Sequence, residues 1–268
     1  MTSALLVERD GPVVTLTLNR PDVKNAVNPE ILVRLADAWD LIDGDDDIRV
    51  AIITGAGGSF CAGADLDKLV TASLKGLPPD NEFEKRCRED PETIFKGFLR
   101  THHLSKPLIG AIEGHCIAGG IELLMSIDVR VAGESATFGI SEVRWGLFPM
   151  AGSAVRLRRQ IPYTMAMEML LTGDHYPAAD ALRMGLIGHV VPTGESLAKA
   201  REIALRIAAN GPLAVKKIKQ AVVETESLPE EKAFEIDIKL GMEAMNSQDA
   251  REGPKAFKEK REPQFQGR

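Results

Sequence analysis

At the start of the chain, short apolar runs are separated by turn signals and followed by an amphipathic segment. Two β-branched runs, Ala4–Arg9 and Val13–Leu18, lie on either side of Asp10-Gly11, which is a strong signal for a hairpin turn. Asn28-Pro29 then gives a helix N-cap with proline at the first helical position. Because apolar residues recur after it at helical spacing, the sequence predicts two paired strands and a helix over about residues 29–43.

The middle of the chain alternates predicted strands with predicted helices. The apolar runs Val50–Thr54, Leu108–Glu113 and Asp128–Ala132 are typical of strands, and Gly119–Ser126 is typical of a helix. Such alternation indicates an α/β fold with ligand sites at the strand-to-helix turns. The polar stretch between about residues 70 and 105 is interpreted as a mobile surface segment with one or two helices.

From about residue 151 onward the sequence predicts an almost wholly helical region, in which only Ile187–Val191 has the pattern of a strand. Five prolines are expected to separate successive helices: Pro162, Pro177, Pro212, Pro229 and Pro254. We therefore predict a core domain over residues 1–195, which holds the candidate site, and a helical C-terminal region over residues 196–268.

Composition and charge restrict the class of protein. The 268 residues are 44% hydrophobic and 27% charged, as in an ordinary soluble globular protein with a sizeable core. The net charge of −6 argues against nucleic acid as a partner, because phosphate binding needs clustered Lys and Arg. Cys61, Cys87 and Cys116 lack metal-ligand spacing and are interpreted as reduced thiols of a cytoplasmic protein. No signal-peptide pattern and no apolar stretch of the ~20 residues of a membrane helix is present, so we expect no membrane contact.

Candidate chemistry is concentrated in two glutamates that lie in glycine-rich surroundings. Glu122 follows Gly119-Gly120 in an otherwise apolar run, where burying a carboxylate is costly unless it is paired or functional. Glu142 follows the segment Thr137–Ser141, and Phe60–Asp65 supplies a further loop of small residues with free backbone amides. One carboxyl group can accept a proton, the other can donate one, and the amides can hold an oxyanion between these steps.

Each of these features also has a purely structural interpretation. The small-residue loops can be tight turns or sites of close helix packing, Glu122 can form an ion pair with an arginine, and Glu142 can pair with Arg144 at the surface. Two other sites are rejected. Gly55–Gly58 lacks the third glycine of a dinucleotide fingerprint, and His102-His103 has no partner at metal-ligand spacing.

Taken in order, the segments of this chain resemble the crotonase superfamily, which is the enoyl-CoA hydratase/isomerase family, over nearly the whole length. The resemblance is carried by Leu18–Pro21, Lys24–Ala26, Phe60–Leu66, Lys106-Pro107, Ala111–Gly114, Gly119–Glu122, Asp128–Arg130, Phe138-Gly139, Leu171–Gly173, Ala178, Ala181, Gly185–Ile187, Val191-Pro192, Glu252-Gly253, Ala256-Phe257 and Glu259–Arg261. It implies an α/β fold built as a spiral of ββα units, with a helical C-terminal trimerisation region. It also implies a homotrimer, or a hexamer built as a dimer of trimers.

The resemblance implies an acyl-CoA thioester as the ligand, with its thioester oxygen bound by the amides of Ala64 and Gly119. It further implies an enoyl-CoA hydratase, since hydratases keep two glutamates at the positions of Glu122 and Glu142. We hypothesise that Glu122 activates water at C3 and that Glu142 protonates C2. The predicted helix N-terminus near Glu122 is expected to favour its ionised form. No metal or redox cofactor is expected, because coenzyme A is part of the substrate.

The resemblance also implies where coenzyme A binds. Lys24, Asn25 and Ala26 match the loop that lines the nucleotide, and Ala62 matches a position near the adenine. Phe257 and Lys260 match a C-terminal helix that approaches coenzyme A from the same or a neighbouring subunit. The structural alternatives are a core position for Phe257 and a solvated side chain for Lys260.

Departures from the family pattern leave the acyl chain length open. Met150 stands where many members have glycine, Trp145 follows Glu142 closely, and the variable segment Leu74–Glu92 lies where acyl selectivity is often set. Two alternative functions remain. One is a Δ3,Δ2-enoyl-CoA isomerase, whose chemistry needs a single carboxylate, or another acyl-CoA enzyme of the superfamily. The other is a CoA-binding scaffold or RNA-associated protein with little catalysis, against which the acidic charge speaks.

Overall fold

The computed structural model describes residues 3–72 and 75–268, and the strands in this part of the chain form two sheets. In order across the larger sheet, the strands are β1 (Leu5–Asp10), β2 (Val13–Leu18), β3 (Val50–Gly55), β4 (Leu108–Ile112), β6 (Val129–Gly133) and β9 (His189–Val191). The smaller sheet contains β5 (His115–Ile117), β7 (Thr137–Gly139) and β8 (His175–Pro177). The pairs β1–β2 and β7–β8 are antiparallel, and the other pairs are parallel.

Helices connect and cover these strands. The described α-helices are α1 (Pro29–Gly44), α2 (Glu82–Glu89), α3 (Glu92–Gly97), α4 (Gly119–Leu124), α5 (Ser153–Gln160), α6 (Tyr163–Thr172), α7 (Ala178–Arg183), α8 (Ser196–Ala208), α9 (Pro212–Thr225), α10 (Glu230–Met245) and α11 (Asp249–Glu259). Short helical turns of other types lie at Pro21–Val23, Ala56–Gly58, Leu66–Thr71 and Glu142–Trp145. No helix in the described ranges is long and apolar enough to cross a membrane.

Successive strands pass from one sheet to the other. Strand β4 lies in the larger sheet, β5 in the smaller sheet, and helix α4 follows them. Strands β6 and β7 repeat the step, and the helical turn Glu142–Trp145 follows. This repetition is the predicted spiral of ββα units. It carries each strand-to-helix turn to the same region of the molecule, as the parallel pairing of β4 with β6 and of β5 with β7 requires.

The N-terminal predictions are confirmed. The hairpin β1–β2 turns at Gly11, and helix α1 covers residues 29–44. The Oδ1 atom of Asn28 accepts a hydrogen bond from the Ile31 amide at 3.0 Å, as an N-cap does. Trp39 is fully buried and donates from Nε1 to the carbonyl of Gly97 at 3.2 Å, which ties α1 to α3. The two helices α2 and α3 agree with the one or two helices predicted for the polar stretch. Leu74, the first residue of the variable segment Leu74–Glu92, lies outside the described residues.

Two predictions for the C-terminal part are wrong. The strand β8 was not predicted, because three residues are too few to show alternation. Pro254 does not separate two helices but lies inside α11. A proline there removes one backbone donor, yet the ends of α11 are fixed: the Asp249 carboxylate accepts from the amides of Gln266 and Gly267 at 2.7 and 2.8 Å.

The larger sheet is buried on both faces. Alternate residues of β3 point to opposite sides: Ala51 and Ile53 join the main core with α1 and α4, and Val50 and Ile52 join a second core under α8. Helix α8 presents alanines to that second core at intervals of four residues: Ala200, Ala204 and Ala208. Small side chains allow the helix to pack closely on the sheet. This packing stabilises the strands from which the site loops extend.

Candidate active site

The segment Phe60–Asp65 continues the smaller sheet and so reaches helix α4. The amides of Phe60 and Cys61 donate to the carbonyls of Glu113 and His115, both at 2.7 Å. Cys61 forms an isolated parallel bridge with Cys116. Since residues on both strands then advance in step, Gly63-Ala64 is brought beside the first turn of α4.

The two predicted oxyanion residues are brought together. A methyl group at Gly119 would lie 3.6 Å from the Ala64 amide nitrogen, and one at Gly63 would lie 2.8 Å from the Ala118 methyl carbon. The parallel bridge of Val27 with Ala64 uses the Gly63 carbonyl and the Asp65 amide, so it leaves the Ala64 amide unused. Gly119 is the first residue of α4, where amides have no partner within the helix. Within the described residues, two neighbouring N–H groups are therefore free to bind an oxygen.

The backbone at Ala118 is strained in a way that directs the Gly119 amide. Ala118 has φ 50° and ψ −118°, a conformation that a residue with a β-carbon rarely adopts. Its own amide donates to the Gly139 carbonyl at 2.8 Å, which holds the turn against β7. Strain of this kind costs about 1–3 kcal/mol and is concentrated at functional sites.

Glu122 lies in the first turn of α4 and is 4% exposed. Its Oε1 atom accepts two hydrogen bonds from Ser153, one from the amide and one from the hydroxyl, both at 3.2 Å. Burial raises the pKa of Glu122, and the amides of Ser153, Ala151 and Gly152 oppose that rise without cancelling it. The expectation that the helix N-terminus makes ionisation easier is therefore wrong for the net effect. No ion pair with an arginine is found for Glu122 in the described part of the chain.

Glu142 is the first residue of the helical turn Glu142–Trp145, which follows β7. Its Oε2 atom is buried and has no hydrogen-bond partner among the described residues. Burial raises the pKa of Glu142 to about 7, and the charge of Glu122 adds to the rise. Arg144 does not pair with it, because the guanidinium binds the Asp174 carboxylate instead. The structural interpretation of Glu142 as a surface ion pair is thus not observed.

The two carboxyl groups act on each other, and their surroundings differ. Ser153 donates hydrogen bonds that stabilise the charge of Glu122, whereas the buried Oε2 atom of Glu142 has no hydrogen-bond partner among the described residues. Two carboxyl groups in such unequal environments divide readily into a base and an acid. With the amides of Ala64 and Gly119 beside α4, the arrangement can take up a proton, donate a proton and stabilise an oxyanion.

The predicted nucleotide loop lies next to the oxyanion segment. The Ala62 amide donates to the Lys24 carbonyl at 3.0 Å, and the Lys24 ammonium lies 3.3 Å from His115 Nε2. Asn25 is fully buried: its Nδ2 donates to the carbonyls of Ala56 and Ser59, and its Oδ1 accepts from the Arg20 amide. The side chain of Asn25 therefore shapes the loop.

Arg20 fixes the same loop from the other side. Its guanidinium donates to the Ala26 carbonyl at 2.6 Å and forms an ion pair with Asp65 at 2.9 Å. Ala26 is thus joined to the residue that follows Ala64. Lys24, Ala26 and Ala62 consequently lie on one loop surface beside the oxyanion residues, and the buried Asn25 supports that surface from inside.

Phe257 and Lys260 are not brought to this surface by contacts within the described chain. Phe257 is 85% exposed, so its interpretation as a core residue is wrong, and Lys260 is also exposed. Phe257 and Lys260 lie at the end of helix α11. The segment that follows this helix is held at the amino end of β3, where Arg49 donates to the Phe265 carbonyl at 2.7 Å. The site loops follow the opposite end of that strand. A cleft of about 790 Å³ beside Arg49 also lies at the amino end and contains none of the candidate residues.

The sequence analysis did not assign Ser153 to the site. Its place after Gly152, at the start of a helix, is a signal for a turn that can bind an anion. Trp145, Phe148 and Met150 are 70%, 66% and 62% exposed. All three side chains come shortly after Glu142 in the chain and expose large apolar surfaces.

Comparisons with known proteins agree with this geometry. The model of a family described as enoyl-CoA hydratase/isomerase matches residues 8–268. Enoyl-CoA hydratase EchA19 of Mycobacterium tuberculosis is 54% identical, with 98% of this chain and 96% of that protein covered. Carnitinyl-CoA dehydratase of Salmonella heidelberg is 34% identical over 100% of both chains. The crystal structure of enoyl-CoA hydratase EchA1 from Mycobacterium marinum superposes with a TM-score of 0.89 at 38% identity, over 100% of both chains.

Proposed function

Since this chain belongs to the enoyl-CoA hydratase/isomerase family, we propose that it is an enoyl-CoA hydratase, which adds water reversibly across the 2,3 double bond of a 2-enoyl-CoA thioester. The observation that carries the proposal is the pairing of two unequal carboxyl groups beside two free amides. The two relatives named above support it, because hydratase and dehydratase both denote the addition or removal of water.

In the proposed reaction each group has one task. The amides of Ala64 and Gly119 bind the thioester oxygen and stabilise the enolate that forms when C3 is attacked. Ionised Glu122 takes a proton from the attacking water, whose oxygen bonds to C3, and protonated Glu142 gives its proton to C2. The turnover leaves Glu122 protonated and Glu142 ionised, and proton exchange restores both.

The division of tasks follows from the surroundings of the two glutamates. Ser153 donates two hydrogen bonds to Glu122, which stabilise the ionised form that a base requires. Burial raises the pKa of Glu142 to about 7, so about half of the molecules carry the proton that an acid must donate near neutral pH. We propose that no metal or redox cofactor takes part, because the reaction changes no oxidation state and its charge develops on an oxygen that the amides can bind.

The test is hydration of crotonyl-CoA, followed by the loss of the conjugated alkene absorbance. Glu122→Gln and Glu142→Gln should each lower kcat by roughly 10²–10⁴, the usual contribution of a positioned acid or base. Glu134→Gln, at an exposed glutamate that has no role in the proposed reaction, is the control and should keep wild-type turnover. Near wild-type turnover of either site variant would remove that residue from the mechanism.

The same assay separates the alternatives. A protein that converts 3-enoyl thioesters but does not hydrate 2-enoyl thioesters is an isomerase. A protein that binds acyl-CoA tightly and turns over no enoyl-CoA is a scaffold. Offering thioesters of increasing chain length in the same assay shows which acyl chain lengths the protein accepts.

We also propose that the loop Lys24–Ala26, together with Ala62, binds the nucleotide of coenzyme A, joined by Phe257 and Lys260 of a neighbouring subunit. Phe257 is 85% exposed and is therefore available for such a contact.

A homotrimer, or a hexamer built as a dimer of trimers, is proposed for the assembly. Helices α9 and α10 pack on one another, and α10 leaves Phe234, Ile238, Met242 and Met245 at least half exposed along one face. This face supports an association between subunits. The proposed cytoplasmic location is supported by the three free cysteines, which suit a reducing compartment.

A further inference from the structure

Ser153 is the first residue of helix α5 and is fully buried against Glu122. Both of its donors, the amide and the hydroxyl, meet the same carboxylate oxygen, Oε1, at 3.2 Å. A backbone amide is present at this place whatever the residue, but the hydroxyl is a property of serine. The hydroxyl group therefore gives Glu122 a hydrogen bond that depends on serine being the residue at this position.

Helix α5 is fixed, so the hydroxyl is presented in a constant position. One turn along the helix, the Arg156 guanidinium donates to the Leu99 carbonyl at 2.7 Å and to the Ser126 hydroxyl. Gly152, with φ 121°, provides the turn that begins the helix. A donor that cannot move away imposes one rotamer on the carboxylate that it binds.

We propose that Ser153 is a positioning residue for the water-activating step: its hydroxyl fixes Oε1 of Glu122, favours the ionised carboxylate and leaves Oε2 to meet the water. The proposal rests on the hydratase function proposed above. Ser153 does not act as a nucleophile, because its hydroxyl is directed at the carboxylate that it supports. The charged groups near Glu122 are Glu142, which opposes ionisation, and Arg156, which favours it.

Ser153→Ala removes the hydroxyl and keeps the amide donor. Loss of a hydrogen bond to the charged form makes ionisation of Glu122 harder, so the midpoint of the acid limb of kcat should rise by about one pH unit. Below that midpoint kcat should fall about tenfold. KM for crotonyl-CoA should stay within about twofold, since Ser153 contacts Glu122 and not the thioester. The basic limb, set by Glu142, should not move.

Ser196→Ala is a closely matched control. Ser196 is also the first residue of a helix, is 1% exposed, and donates from its amide to a glutamate, Glu113 Oε1, at 3.2 Å. It differs in that its hydroxyl has no hydrogen-bond partner among the described residues. The variant loses the same atom from a similar site, and its pH profile should equal that of the wild type.

Two further variants separate positioning from a loss of folding. Ser153→Thr keeps a hydroxyl and should restore the acid limb, whereas Ser153→Gly removes the hydroxyl without adding an atom and should behave as Ser153→Ala. Melting temperature is measured for all of them. If Ser153→Ala fails to fold, Ser153→Gly provides the comparison with Ser153→Thr.

A readout that needs no turnover is the infrared carboxyl band of Glu122, identified by its loss in Glu122→Gln and titrated with and without the Ser153 hydroxyl. An upward shift of its titration midpoint in Ser153→Ala supports the proposal. An unchanged midpoint and acid limb, in a wild type that hydrates crotonyl-CoA, overturn the proposal and leave the hydratase function standing. A wild type that hydrates no enoyl-CoA instead removes the function, while the band still reports on the hydrogen bond.

Discussion

At the scale of single residues, the site illustrates how one side-chain type can take two roles. Glu122 and Glu142 are both withdrawn from water, which makes the charged form of each more costly. Glu122 is compensated more strongly, by the Ser153 amide and hydroxyl among others, whereas the charged form of Glu142 is stabilised only by its own backbone amide. The proton is therefore expected to reside on Glu142 when one of the two carboxyl groups carries it.

This assignment predicts a basic limb in the pH profile of crotonyl-CoA hydration. Glu142 must be protonated to donate to C2, and burial raises its pKa to about 7, so kcat/KM should fall as the pH rises through that value. Arg144→Gln is the matched variant. Because Arg144 binds Asp174 and not Glu142, its loss should leave the limb in place. A limb that moves upward in Arg144→Gln would show that Arg144 stabilises the Glu142 carboxylate.

The sequence indicated the positions of these residues but not their ionisation. A glutamate in an apolar run is visible in a sequence, and so is a glycine-rich loop after a strand. The contact of Ser153 with Glu122 spans thirty-one positions of chain and arises only when α5 packs beside α4. The sequence analysis recognised the apolar surroundings of Glu122 but expected the helix N-terminus to decide its ionisation, whereas burial has the larger effect on its pKa.

At the scale of elements, the oxyanion site depends on two loops that touch. The segment Phe60–Asp65 and the start of α4 are brought together by the Cys61–Cys116 bridge, and Gly63 faces Ala118 at the point of closest approach. Neither loop could bind an oxygen with two amides alone. The distance between the loops is therefore the quantity on which oxyanion binding depends.

Gly63→Ala should separate the two loops. A new methyl group would lie 2.8 Å from the Ala118 methyl carbon, at a backbone φ of 106°, and should lower the free energy of unfolding by about 1–3 kcal/mol. Loss of one oxyanion donor should lower kcat by about 10²–10³. Gly194→Ala is the control: Gly194 has φ 91° and no atom within 4 Å of the new methyl group. It should lose about 1 kcal/mol and keep its activity.

The predicted losses of stability and of kcat are tested by guanidinium denaturation and by crotonyl-CoA turnover, both measured for the two variants. Equal activity in Gly63→Ala and Gly194→Ala would mean that the approach of the two loops is not needed for catalysis.

Element lengths explain which parts of the fold the sequence could show. Helix α1 has sixteen residues and an N-cap, and β2 has six residues in which apolar and threonine side chains alternate from Val14 to Leu18, so both were predicted nearly to the residue. The strands β5, β7 and β8 have three residues each. Their pairing is decided by the neighbouring strands, which a local pattern does not contain. The smaller sheet, which carries the oxyanion segment, was therefore missed as a sheet.

At the scale of the whole molecule, the chain divides its apolar surface unevenly. The two cores lie on either side of the larger sheet, whereas helices α10 and α11 leave large apolar side chains exposed. The sequence predicted the helices but could not show which faces remain uncovered, since that depends on how they pack. Phe257, which was open to a core interpretation, is the most exposed of these side chains.

If Lys260 completes the site of a neighbouring subunit, an inactive variant can restore substrate binding to a variant that binds substrate weakly. Subunits with Glu122→Gln supply an intact Lys260 but cannot activate water. Subunits with Lys260→Ala should bind crotonyl-CoA weakly, with a KM raised several-fold by the loss of a phosphate contact and an unchanged kcat. When the two are unfolded and refolded together, some sites combine Glu122 of one chain with Lys260 of another.

Turnover of the refolded mixture at low substrate concentration should therefore exceed the sum of the two separately refolded variants. Glu122→Gln mixed with Lys258→Ala, an exposed lysine on the same helix that carries no predicted contact, should give no such gain over its own components. Lys260 directly follows helix α11, and the segment after it is held at the end of β3 opposite the site loops. A gain in the mixture therefore indicates that Lys260 acts on the site of a neighbouring chain. Strict additivity in the Lys260→Ala mixture, with Lys24→Ala and Lys260→Ala both leaving acyl-CoA affinity unchanged, would place coenzyme A elsewhere.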